Sequence, residues 1–144
     1  MNKDLFEFLK EKFPFLSNLR YISCGDGWFY IIRDLSQAIL ELNPPDHFEI
    51  VQIKEKFGGL RYYWKMDQRL GDDNHPYMMI EEDLNSFNKR TEFLQNLNIK
   101  VMNAESNSYI TCEECGKPAS STSDGFWVKT LCDFHKEERK NGKI

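Results

Sequence analysis

Two ligand pairs constrain this chain more than anything else in it: Cys112-Glu113-Glu114-Cys115-Gly116 and, sixteen residues on, Cys132-Asp133-Phe134-His135. Three thiols and one imidazole are the four soft or borderline donors that a tetrahedral zinc ion takes. In the first pair, a tight turn ending at Gly116 brings two sulfurs together. In the second, positions i and i+3 of a helical first turn lie on one face, so Cys132 and His135 converge. A helix over 131–140 supplies that turn, residues 120–125 read as a turn, and Phe126 to Thr130 read as the returning strand of a hairpin. Knuckle, hairpin and ligand-bearing helix predict a treble-clef-like zinc module over 110–144. Four protein ligands leave no open position for water or substrate, so the expected zinc is structural. Buried inert thiols do not require this doubled spacing, and a disulfide requires an oxidising compartment.

Ahead of the module, the pattern predicts an α+β body over 1–109. Asp4 to Phe13 repeats apolar residues on one broad face (Leu5, Phe6, Phe8, Leu9, Phe13) until Pro14 interrupts it. A second helix follows the turn residues Ser23 to Gly27, with Asp26 as its expected N-cap and Trp28, Ile31, Ile32, Leu35, Ala38, Ile39 and Leu42 on its apolar side. Asn43-Pro44-Pro45-Asp46 stops it. Residues 48–56 and 60–66 then read as an antiparallel hairpin around Phe57-Gly58-Gly59. In its second strand Leu60, Tyr62, Trp64 and Met66 share one face; in its first, Val51 and Ile53 pair on one face and Phe48 and Ile50 on the other. Residues 67–77 read as a loop. Ile80, Leu84, Phe87, Leu94, Leu97 and Val101 continue as a long connecting helix, with Asn96 and Asn98 as places for a bend or break. The module is expected to dock on this body.

Aromatic residues make 14% of the 144 residues, enough large rings for a sizeable core. The formal charge of −4 disfavours free nucleic acid as a bulk ligand, because phosphate binders need many cations to release counterions. Loading with zinc makes the charge more negative, since three thiolates outweigh the ion. The first sixteen residues contain no signal-peptide core, and the longest apolar run is far too short to span a bilayer. A cytoplasmic protein, without a membrane segment, is therefore expected. Paired carboxylates, a Gly-rich phosphate loop and a Ser/His/Asp arrangement are not legible, which predicts a protein that is not an enzyme. Asp46-His47 superficially resembles the histidine of a ββα-metal nuclease, but the metal-like module uses its own histidine for zinc. His47 and His75 read as surface residues. Cys24 reads as a small buried hydrophobe, since no histidine adjoins it as a base.

Two surfaces are candidates for a partner. Lys54, Lys56, Phe57 and Arg61 place cations around an aromatic at a turn, which suits an acidic partner or a few phosphates; the alternative is a solvated tip with Phe57 folded back on the core. Asp72, Asp73, Glu81, Glu82 and Asp83 form an acidic patch, either a solvated face or an imitation of nucleic-acid phosphate toward a basic protein.

Gly25-Asp26-Gly27-Trp28, the run Lys54 to Arg61, Cys112-x-x-Cys115-Gly116-Lys117-Pro118 and Gly125-Phe126-Trp127-x-Lys129-Thr130-Leu131-Cys132-x-x-His135 together resemble a family of small zinc-module proteins of phages and bacteria. The resemblance spans residues 24–135 and implies the four metal ligands, but no particular activity. In size, acidity and zinc usage the chain is also similar to phage anti-CRISPR proteins, including a metal-binding inhibitor of type II-A Cas9. That likeness implies a stoichiometric inhibitor in the host cytoplasm, occupying a basic surface of the effector and blocking DNA loading. The alternative is a zinc-finger nucleic-acid-binding or transcriptional accessory protein.

Overall fold

The computed structural model describes residues 1–66 and 81–144, the side chains of 81–83 excepted. Helix α1, Lys3–Lys12, starts where the Asn2 side chain accepts a hydrogen bond from the Leu5 amide at 3.0 Å. Asp4 in its first turn and Lys10 and Lys12 in its last complement the helix dipole. It stops at Phe13, which the following proline holds in an extended conformation. A 3-10 turn, Pro14–Leu16, then tucks Phe15 and Leu16 into the core.

Asp26 does not cap the second helix. A 3-10 turn, Asp26–Trp28, intervenes, and α2, Phe29–Glu41, begins without a side-chain cap. The Asp26 carboxylate instead accepts hydrogen bonds from the Asn2 backbone amide at 2.6 Å and the Asn2 side-chain amide at 3.0 Å. It thereby ties the start of α1 to the start of α2. Ile32, Leu35, Ser36 and Ile39 form the buried face of α2.

Strands β1, Glu49–Lys56, and β2, Gly59–Lys65, form an antiparallel hairpin. Their turn is Phe57-Gly58, with φ of +54° and +76°, the two-positive-φ geometry that matches the twist of paired strands. β2 alternates as its sequence predicts, with Leu60 and Tyr62 buried and Trp64 and Met66 packed against the core. β1 does not. Its register shifts between Ile50 and Gln52, so Val51 bulges outward and Ile50 and Ile53 both face inward. The outer edge of β1 is partly covered by Ser23, whose amide donates to Ile53 and whose carbonyl accepts from Glu55.

Helix α3, Glu81–Ser108, runs unbroken through Asn96 and Asn98 and packs on α2 and β2. Its buried stripe is Phe93, Leu97 and Ala104, with Leu94 and Val101 alongside. Leu84 and Phe87 are exposed rather than part of that stripe, and Ile80 lies outside the described residues. The main core gathers Leu9, Phe13, Leu16, Trp28, Ile32, Ile39, Ile50, Ile53, Leu60 and Leu97 between the helices and the hairpin. A hydroxyl pair inside it is satisfied, with Ser36 Oγ and Tyr62 Oη 2.9 Å apart. The result is an α+β fold. Among the described residues, no helix is long and apolar enough to cross a membrane.

After a knuckle at residues 111–118, strands β3, Ser120–Asp124, and β4, Trp127–Leu131, form a second antiparallel hairpin, and α4, Asp133–Lys140, closes the chain's ordered elements. Ser120 to Asp124 is thus a strand, not the turn its composition suggests. The turn is confined to Gly125, at φ +61°, and Phe126.

Candidate metal centre

The knuckle is a hairpin in miniature. The Cys112 amide donates to the Lys117 carbonyl and the Gly116 amide to the Cys112 carbonyl, both at 2.8 Å. Gly116 completes the turn at φ +78°, a left-handed conformation that glycine adopts without a Cβ penalty. Its neighbour Cys115 is exposed while Cys112 is fully buried. From the other side, β4 delivers Cys132 as the N-cap residue of α4. His135, three residues on, is the third residue of the helix and stands over the same point.

Cys112, Cys115, Cys132 and His135 each bring one ligand atom, all within 4.8 Å of one another. Sulfur to Nδ1 is 3.4 Å from Cys112 and 3.3 Å from Cys132, and Cys115 Sγ lies 3.8 Å from Cys132 Sγ. A tetrahedral zinc with bonds of roughly 2.3 Å to sulfur and about 2.0 Å to nitrogen has edges of roughly 3.5–3.8 Å. The quartet therefore fits one metal ion in both donor chemistry and spacing. Burial pushes the Cys132 thiol up, but the His135 amide and ring and the two other thiols outweigh it and bring it down to about 7. Cys115 moves the other way. Burial and the neighbouring thiols raise it despite the Lys117 amide against its sulfur.

What seats this centre on the rest of the chain is the Gly25-Asp26-Gly27-Trp28 turn. The Gly27 amide donates to the Glu113 carbonyl at 2.8 Å, and the Trp28 indole N–H donates to the Thr111 carbonyl at 2.8 Å. A Cβ on Gly27 would overlap the Cys112 carbonyl and the Cys115 amide, so only glycine lets the two backbones lie this close. Glu113, between the first two ligands, is buried with its carboxylate engaged on both oxygens: Oε1 accepts from the Gly25 amide at 3.1 Å and Oε2 from Lys129 Nζ at 2.8 Å. Lys129 also reaches Glu55 Oε2 at 3.2 Å. Burial pulls its ammonium down, but Glu113 and Glu55 outweigh that and hold it above its ordinary range.

The body hairpin is latched by the same strand. Thr130 Oγ1 donates to the Gly58 carbonyl at 2.7 Å, and the Glu113 amide donates to the Thr130 carbonyl at 3.0 Å. The docking roles of Glu113, Lys129 and Thr130 are what sequence reasoning passes over, although Lys129 and Thr130 belong to the motif that carries the resemblance. A further signal is that they lie beside or between the candidate metal ligands in a module that must dock somewhere.

Of the other candidates, Cys24 is buried, and desolvation pushes its thiol up to about 12. His47 is exposed at φ +66°. Lys54, Lys56, Phe57 and Arg61 lie together at the end of the β1/β2 hairpin, and Phe57 is 64% exposed rather than folded back on the core. Glu81, Glu82 and Asp83 begin the described part of α3; their side chains, like Asp72, Asp73 and His75, lie outside the described residues. Comparison with protein families, curated proteins and solved structures finds no match for this chain.

Proposed function

We propose that the quartet holds a single zinc ion in a structural role, and that the chain is a non-enzymatic protein–protein interaction protein of phage type. The observation that carries the metal role is the convergence of four protein ligand atoms within 4.8 Å of one another, three of whose separations, 3.3, 3.4 and 3.8 Å, lie near tetrahedral edges. Four such donors complete the coordination of zinc, leaving it no position for substrate. The soft thiolates favour zinc over the hard cations that prefer oxygen. The ion closes a module whose small apolar cluster consists of Cys112, Leu131 and Cys132, with Ala119 against it, too little to hold its shape unaided.

The partner reading follows the resemblance: a host nucleic-acid-handling effector with a basic surface, of which a type II-A Cas9 is the named case. An acidic chain approaches such a surface with electrostatic steering. Elemental analysis of purified protein tests the metal, with one zinc per chain expected. Protein free of transition metal overturns it. Mixing with a purified type II-A effector tests the partner, with a near-equimolar complex and loss of DNA loading expected. A clean failure to associate at low salt sinks the inhibitor reading.

A further inference from the structure

The outward face of the β1/β2 hairpin concentrates positive charge on a chain whose net charge is −4. Lys54 and Lys56 alternate along β1, Arg61 and Tyr63 along β2, and Lys54 stands directly opposite Arg61 in the register. Like charges facing each other across a ladder oppose its pairing. Among the described residues, none of Lys54, Lys56 and Arg61 forms an ion pair. Arg61 donates to the Leu60 carbonyl and the Tyr109 hydroxyl, both neutral acceptors. Among the described residues the three cations have no carboxylate in ion-pair contact, although Glu105 lies near enough to Arg61 to favour its charged form.

Its tip is equally unusual. Phe57 occupies the left-handed region at φ +54°, where a bulky side chain sits only if its surroundings impose it. Asparagine or glycine would make the same turn with less strain. The imposing contacts are visible: Glu55 Oε1 accepts from the Gly58 amide at 2.7 Å, Thr130 Oγ1 donates to the Gly58 carbonyl, and Lys129 holds Glu55. Two of the three come from β4, the strand that leads to the ligand Cys132. Phe57 gains little burial from this, being 64% exposed. Strain and an exposed ring are both unfavourable in isolation and both suit an anchor that is buried in a complex.

We infer that this face is a docking surface for an acidic patch on a partner protein, with Phe57 entering an apolar socket and Lys54, Lys56 and Arg61 meeting carboxylates around it. A protein fits better than a nucleic-acid strand. Lys54 Nζ sits over the Tyr63 ring at 5.6 Å and Lys56 Nζ over the Phe57 ring at 5.3 Å, so ammonium groups cover ring faces on which bases would stack. The net negative charge repels phosphate as well. This rests on the interaction-protein reading, whose partner then carries an acidic patch in addition to the basic surface named above.

The test uses the full zinc-loaded chain. Phe57→Asn should raise the melting temperature by relieving the turn, whereas a fall would mean that Phe57 serves the fold and would overturn the inference. A glutamate-rich peptide carrying leucine, titrated while backbone amide resonances are followed, should shift residues 54–63. Phe57→Asn and the double variant Lys54→Gln/Lys56→Gln should each weaken that binding by about tenfold or more. Equal affinity for all three proteins, or shifts confined elsewhere, overturns the docking face. So does tighter binding of oligothymidylate than of the peptide. Zinc content measured on the same sample separates the two claims: missing metal fails the metal assignment, and a loaded chain that ignores the peptide fails this one.

Discussion

Gly27 sets how closely the body and the metal knuckle approach, because the three atoms that a Cβ would strike, the Cys112 and Glu113 carbonyl oxygens and the Cys115 amide nitrogen, belong to backbone that also positions the candidate ligands. Gly27→Ala should therefore destabilise the fold by about 1–3 kcal/mol in urea titration and weaken zinc retention in the same protein. Gly125→Ala is the contrast: nothing lies near a Cβ there, so only the strain of its positive φ is felt and metal retention should not change. Cys24 gives a pH-dependent outcome. Burial raises its thiol from 9.0 to about 12, so the unfolded chain releases this proton at lower pH than the folded one. Keeping the thiol neutral thus supports the fold below pH 9, and that support is lost as pH rises toward 12. At pH 8 iodoacetamide should leave Cys24 unmodified in the native protein and modify it in urea, as peptide mapping would show. A native protein alkylated at Cys24 would refute its burial.

At the scale of elements, β4 bears on both halves of the chain. It carries Lys129 to Glu113 and Glu55, and Thr130 to Gly58, before ending at Leu131, one residue ahead of the candidate ligand Cys132. Lys129→Met removes the only cation on the buried Glu113 carboxylate among the described residues and should cost about 3 kcal/mol, read as a shifted denaturation midpoint. An unchanged midpoint would show the pair to be dispensable. These links explain which parts of the molecule were legible in the sequence. The quartet was, because metal chemistry demands fixed residue types at fixed spacing. The alternation of β2 was legible for a similar reason, since a sheet with one covered face repeats every two residues. Ser120 to Asp124 was not: serine, threonine and aspartate favour turns locally, and only pairing with Trp127 to Leu131 makes them a strand. The β1 bulge at Val51 is equally invisible, because it depends on register against β2. In α3, Leu84 and Phe87 keep the helical spacing, yet among the described residues its buried positions begin at Phe93. Periodicity marks an apolar face without saying whether anything covers it.

For the whole molecule, the metal and the fold are expected to stabilise one another. Structural zinc in small modules contributes on the order of 10–16 kcal/mol in apparent binding free energy. A strong chelator should release residues 110–140 to rapid amide exchange while α1 and α2 stay protected, and it should also expose the amides around Gly58 once Thr130 lets go. Exchange unchanged by chelation would mean that the module holds itself together. The Trp28 indole and the Thr111 carbonyl that receives it are 83 positions apart in the chain. During synthesis, at about 5–20 residues per second, that separation becomes a wait of roughly 4–17 s in which the indole N–H has left the ribosome before its acceptor has been made. The nascent protein passes through this interval with the indole N–H of a core residue still lacking its acceptor, so the window in which the body waits for its metal module is written into the order of its own residues.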